Sequence, residues 1–273
     1  MASEETTKRP HRTSMEGMIW NANHVLGYAL RPGIRGVPKG YFMSCAGIAV
    51  LSVVDAGFIF SGSVGSGILM QRDLMSGEWS PPVACGLTGV GFGFLLGAAV
   101  QELIIFFPDE KSIATFCSTG LNLGTQSDVT IGVGRDFEAG FGLSKDGSSA
   151  TMSFAYSKGA FGSLALKGAV VAPRKAINTL FYEVKNPELD ILAGKVSFPE
   201  QKVTLWKDVV EKLDKLAQGL TELPGDDVKE KQRLESARIV ANEVADELHK
   251  SDGDVDVVEV DAQTEAAKES SLA

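Results

Sequence analysis

The chain has 273 residues, 44% of them apolar, which is enough to bury the core of one large domain and excludes wholesale disorder. Thirty glycines against ten prolines, with no G-X-Y period, exclude collagen-like and low-complexity readings and assign the glycine to folded backbone. A net charge of −9 argues against a general nucleic-acid binder, but that charge is uneven: residues 1–40 sum to +3, 41–200 to −4 and 201–273 to −8. Charged residues rise from about 15% of the middle region to about 38% of the last, which places a boundary near Pro199.

In chain order, residues 1–13 are polar and read as a disordered basic arm carrying Lys8, Arg9 and Arg12. With no apolar run there is no secretory signal, so a cytoplasmic chain is expected. Ser14 is an N-cap candidate for a helix in which Met15, Met18, Ile19, Ala22, Val25, Leu26, Ala29 and Leu30 share one apolar stripe. Arg31-Pro32-Gly33 stops it. Trp20 and Tyr28 stand on the otherwise polar side, where they either pack beneath a second element or dip into a membrane interface.

Residues 83–100 carry no charge and are just short of a membrane span, but five glycines among them favour close-packed strands over a spanning helix. Short strand patterns recur from about residue 48 to 167, and Pro108-Asp109-Glu110-Lys111 opens a short helix over 112–117. The spacing predicts an α+β fold: a curled or closed antiparallel β-meander, barrel-like, with an N-terminal amphipathic helix. After Pro199, Leu205, Val209, Leu213, Leu216 and Leu220 form one stripe and Leu234, Ala237, Ala241, Val244 and Leu248 another. Pro224-Gly225 lies between them, so 199–250 reads as a helical hairpin and 251–273 as an acidic disordered tail.

Chemistry-bearing motifs are sparse. Residues 41–200 contain no histidine, and the chain lacks G-x-S-x-G, a P-loop and a true G-x-G-x-x-G, so neither an enzyme nor a nucleotide cofactor is expected. Cys45, Cys85 and Cys117 read as buried free thiols, and without clustered His or Cys no metal site is expected. Asp55, Asp73, Glu102, Asp128, Asp136 and Glu138 read as scattered, solvated acids.

The glycine-rich runs do form an ordered series. It starts with Val37-Pro38, residues 46–53, Ala56-Gly57-Phe58 and Gly65-Ser66-Gly67-Ile68. It goes on through Gly77-Glu78-Trp79-Ser80-Pro81-Pro82, residues 89–94 leading to Gly97, and Gly134-Arg135-Asp136 before Gly140. It ends with Tyr156-Ser157-Lys158-Gly159-Ala160-Phe161 and Arg174-Lys175 to Asn178, Phe181 and Tyr182.

Over residues 37–196 this series resembles the SYLF domain, so 14–198 is read as a SYLF-like domain that includes the N-terminal helix. The resemblance implies a phosphoinositide-binding peripheral membrane module linked to actin and endocytosis, with lipid binding in a basic amphipathic helix ahead of the core. The counterparts here are Lys8, Arg9, Arg12, Trp20, Tyr28, Arg31, Arg35 and Lys39. Lys158, Arg174 and Lys175 form a candidate second basic site. Implied partners are anionic membrane lipids and, alternatively, actin or endocytic proteins, with no nucleic acid. Cys45-Ala46-Gly47 lacks the lysine usual before that glycine. Asp55 and Lys167 stand where animal members carry Lys and Glu, and those opposite changes of sign suggest an ion pair reversed across the fold. The chain has no segment for a Src-homology-3 domain and too few cysteines for a FYVE finger.

Overall fold

The computed structural model describes residues 10–32, 34, 37–57, 60–92, 97–123, 132–133, 138–144, 150–158 and 169–221. Helix α1 (Met15–Ala29) starts at Ser14, whose backbone is extended and whose Oγ accepts the Gly17 N–H at 3.2 Å. The residues before the cap fold back over that first turn. A Cβ at Gly17 would lie 2.0 Å from the His11 carbonyl oxygen, so only glycine admits the fold-back. A short helix, α2 (Lys39–Ser44), then leads into the sheet.

Among the described residues, eight strands close into an antiparallel ring. β1 (Gly47–Gly57) lies between β2 (Phe60–Gln71) and β4 (Gly97–Phe107), and β2 pairs onward to β3 (Val83–Phe92). The ring continues through β9 (Ala169–Pro173), β5 (Leu121–Leu123), β7 (Glu138–Ser144) and β8 (Ala150–Lys158), and β8 returns to β4. A two-residue strand, β6 (Gly132–Val133), runs parallel to β8.

The predicted α+β class and curled antiparallel barrel are therefore what form. Consecutive, meander-like pairing holds from β1 to β3 and between β7 and β8, whereas β4 crosses to the far edge of β1 and β9 inserts between β3 and β5. The uncharged run 83–100 is β3 and the start of β4. Among the described residues no helix is long and apolar enough to cross a membrane.

Register sorts the side chains into two faces. Ile48, Val50, Ile68, Ile104 and Phe106 turn outward beneath the helices; Phe42 of α2 packs edge-on against Phe106 at 5.0 Å and Tyr41 against Phe154 at 5.1 Å. Leu51, Leu87, Leu103, Leu121 and Val171 fill the interior. A Cβ at Gly67 would sit 2.0 Å from the Val50 carbonyl oxygen, so glycine is what lets β2 approach β1 this closely. Helix α3 (Glu110–Thr119) has Asp109 as N-cap, in a capping box with Ser112, and sets Phe116 against Phe107 at one end of the barrel.

Three helices follow β9: α4 (Lys175–Tyr182), α5 (Glu188–Leu192) and α6 (Val203–Gln218). α6 is the first helix of the predicted hairpin. Its Val209, Leu213 and Leu216 join the same buried core as the barrel, while Leu220 lies past the stop at Gly219 (φ 75°) and is exposed. The second hairpin helix, the tail and residues 1–9 lie outside the described residues. All three cysteines are free and buried, and burial pushes the thiols of Cys45 and Cys117 up to about 12.

Candidate functional site

The predicted basic residues do not form one cluster. Arg12 is half-buried and donates to the Ser52 carbonyl at 3.3 Å and the Ser52 hydroxyl at 3.4 Å, while Ser66 donates back to the Arg12 carbonyl at 2.9 Å. Arg12 thereby fastens the arm to β1 and β2. About 22 Å away, the length of a fifteen-residue helix, Arg31 sits with its guanidinium 5.3 Å from the Tyr28 ring centre. Lys39 is exposed and its stem lies against Gly219 at the end of α6, where a Cβ would be 3.1 Å from Lys39 Cδ. Lys8, Arg9 and Arg35 lie outside the described residues, as do Lys167 and the Lys158 side chain.

α1 itself is enclosed on two sides. Met15, Met18, Ile19, Ala22, Val25 and Leu26 are buried against the barrel. The opposite, polar stripe meets α6. Glu16 pairs with Lys202, Asn23 accepts from Lys212 at 2.7 Å, and the Lys212 stem lies over Gly27. Positions ascend together along both helices, so α1 and α6 run parallel. Tyr28 is buried and Trp20 half-buried, its ring 3.7 Å from that of His24. Burial alone would raise Glu16, but the hydrogen bond and charge of Lys202 outweigh it and hold its carboxyl below the usual range.

Lys212 and Lys215 of α6 thus lie toward the same ends of α1 and α6 as Arg31 and Lys39, with Lys215 paired to Glu211 at 2.6 Å. Residue-level reading missed them by counting them within an acidic region. The signal was present: Lys212 stands three residues after Val209 and four before Leu216, on the flank of the stripe that had to meet another element.

Arg174 and Lys175 are held by a different device. Asn178 of α4 is fully buried; its Oδ1 accepts the Ala84 N–H at 2.7 Å, and its amide donates to the Ala84 carbonyl and to Glu188 Oε1, both at 3.2 Å. Tyr182, one turn on, donates to the Pro82 carbonyl at 2.6 Å. These two residues bolt α4 to β3. The Arg174 stem rests on Gly86, and Lys175 is exposed. Lys202, besides pairing with Glu16, lies 4.6 Å from the Phe181 ring centre, so α4 neighbours the N-terminal end of α1.

Two of the acids read as solvated are not. Asp55 and Glu102 are each 1% exposed, because the closed barrel and its helices leave neither face of β1 and β4 open there, whereas Asp73 is exposed. Asp55 points inward, accepts a hydrogen bond from Ser63, and is pushed up to about 6 by burial, against that bond and the nearby Gln101 amide. Among the described residues Asp55 Oδ2 finds no hydrogen-bond donor at standard distance. Among the described residues no three His, Cys, Asp or Glu side chains are grouped to hold a metal ion.

Residues 88–213 match the family described as Ysc84, Las17-binding protein actin regulator. SH3 domain-containing YSC84-like protein 1 of Bos taurus is 33% identical over 217 residues, 79% of this chain and 58% of its own length; that of Rattus norvegicus is 35% identical over 173 residues, 63% of this chain and 50% of its own. Protein YSC84 of Saccharomyces cerevisiae is 32% identical over 165 residues, 60% of this chain and 35% of its own length. The chain therefore spans from about a third to little more than half of the length of these relatives, and no solved structure matches it. The ordered glycine and aromatic series together with these matches makes the chain a member of the SYLF, or Ysc84-type, family.

Proposed function

We propose that this chain is a non-catalytic, phosphoinositide-binding peripheral membrane module of actin-linked trafficking, with Arg31, Arg35 and Lys39 at the head-group site. The observation that carries the reading is the group of cations where α1 and α6 end: Arg31 on its Tyr28 ring, exposed Lys39 on Gly219, and Lys212, which donates to the neutral amide of Asn23 and has the Glu211 carboxylate nearby. Tyr28 serves this site from inside, as a platform for the guanidinium.

Charge alone gives about 1 kcal/mol per basic residue near an anionic leaflet, so three such cations give roughly 3 kcal/mol, below the ~4.1 kcal/mol of millimolar affinity. Multivalent phosphate contacts or inserted apolar groups must add to it. Liposome co-sedimentation with and without phosphoinositides tests the site. Wild type is expected to pellet with phosphoinositide vesicles and a variant with Arg31, Arg35 and Lys39 changed to Ala is expected not to; equal pelleting of the two refutes the assignment.

A second reading, a cytoskeletal adaptor without direct lipid binding, is favoured by the matched family's description as an actin regulator. High-speed co-sedimentation with actin filaments separates the two readings, since a chain that stays in the supernatant leaves the lipid reading alone.

A further inference from the structure

Two exposed apolar patches stand clear of that site. The first is the turn after β2, where Leu74 is 59% and Met75 98% exposed. Its charged neighbours are Arg72, Asp73 and Glu78, and the Asp73 carboxylate is held in its charged form by the Met75 and Ser76 N–H groups. That setting is net negative and opposes an anionic surface.

The second patch spans α4, the segment that follows it and α5, where Leu180 is 77%, Val184 39% and Leu189 53% exposed. Lys175, Lys185 and Lys195 are exposed beside it and Arg174 is half-buried; the exposed acids there are Glu183 and Asp190, and Lys195 already pairs with Asp190 at 3.2 Å. The balance is +2. The apolar groups are outward because Asn178, Tyr182 and Glu188 commit the other side of both helices to β3 and to each other. The patch is also at the end of α1 from which the basic arm departs, since Lys202 links Glu16 and Phe181.

We propose that this face, Leu180, Val184 and Leu189 fringed by Arg174, Lys175 and Lys185, seats on an anionic lipid bilayer, the leucines entering the interface and the cations meeting the head groups. The proposal rests on the membrane-binding reading and supplies the apolar contribution that charge alone leaves missing. Two helices fixed by buried hydrogen bonds present Leu180 and Leu189, so these two side chains need no loop to be ordered first.

The test uses the full chain and phosphatidylcholine vesicles with and without phosphatidylserine. The double variant Leu180→Asp, Leu189→Asp is expected to weaken binding to the anionic vesicles by about tenfold or more, while its thermal unfolding stays that of wild type because both side chains are exposed. A Leu180→Cys variant is labelled selectively with an environment-sensitive dye, since the native cysteines are buried. Its emission is expected to shift to the blue with anionic vesicles and not with phosphatidylcholine alone. Unchanged vesicle binding by the double variant, or an unshifted emission while the protein pellets, overturns the proposal and leaves the membrane reading standing. Loss of actin co-sedimentation with vesicle binding intact assigns the patch to a protein and overturns it too. Failure of wild type to bind any anionic vesicle overturns both.

Discussion

α1 and α4 are both one-faced helices laid on the outside of the same barrel, yet they end in opposite situations. α1 has fifteen residues and a broad apolar stripe, and α6 returns over its polar side through Lys202 and Lys212. α4 has eight residues, is held by Asn178 and Tyr182, and nothing among the described residues covers Leu180. The longer apolar stripe belongs to the enclosed helix. Exposure is decided by whether a later element comes back over a helix, which the helix's own periodicity does not encode.

The comparison can be broken or sharpened by substitution. Leu26→Ala in α1 removes a fully buried side chain and is expected to cost about 2–5 kcal/mol in denaturant unfolding; a loss under about 1 kcal/mol would mean α1 is not seated on the barrel. The wall behind both helices carries a cost of its own at Asp55, whose carboxyl lies at about 6 in the folded chain against an ordinary 3.8. The favourable contribution of the protonated group is complete below about pH 4 and is lost as pH rises through about 6, so Asp55→Asn is expected to gain about 2–3 kcal/mol over wild type near pH 8 and little near pH 4. Thermal melts of the two proteins across that range check it.

Asn178→Ala is expected to cost about 1–3 kcal/mol, because it leaves the buried Ala84 N–H without its acceptor, while the Ala84 carbonyl keeps the Arg174 N–H. Faster hydrogen exchange should follow in α4 and not in α1. Lys202→Ala should cost less than about 1 kcal/mol, the range of a partly exposed pair, and the loss should shrink with added salt. Leu180→Ala should stay within about 0.5 kcal/mol; a larger effect would show that the open face of α4 is covered after all.

Much of the local structure was legible. Ser14 marked the start of α1, the run Pro108-Asp109-Glu110-Lys111 the opening of α3, which begins two residues earlier than the expected 112, and Val209, Leu213 and Leu216 the buried side of α6, since caps and stripes are written within a few neighbouring residues. The glycines of 83–100 correctly argued for strands. The curl into a barrel was expected but the strand order was not legible: the crossing of β4 to β1 and the insertion of β9 between β3 and β5 depend on partners far along the chain. Asp55 was misread for the same reason, because an acid in an alternating strand looks solvated until the barrel closes around it. α4 and α5 escaped notice because eight and five residues give too few turns for a periodic pattern. At the site, Arg31 and Lys39 were named, while Lys212 joined them only once α6 was known to lie along α1.

The contact between Glu16 and Lys202 spans 186 residues. At about 5–20 residues per second, a ribosome needs roughly 10–40 s to reach Lys202 after Glu16 has been made. α1 is therefore made well before the segment that covers its polar side, and in the interval its apolar stripe is sheltered by whatever part of the barrel has already emerged.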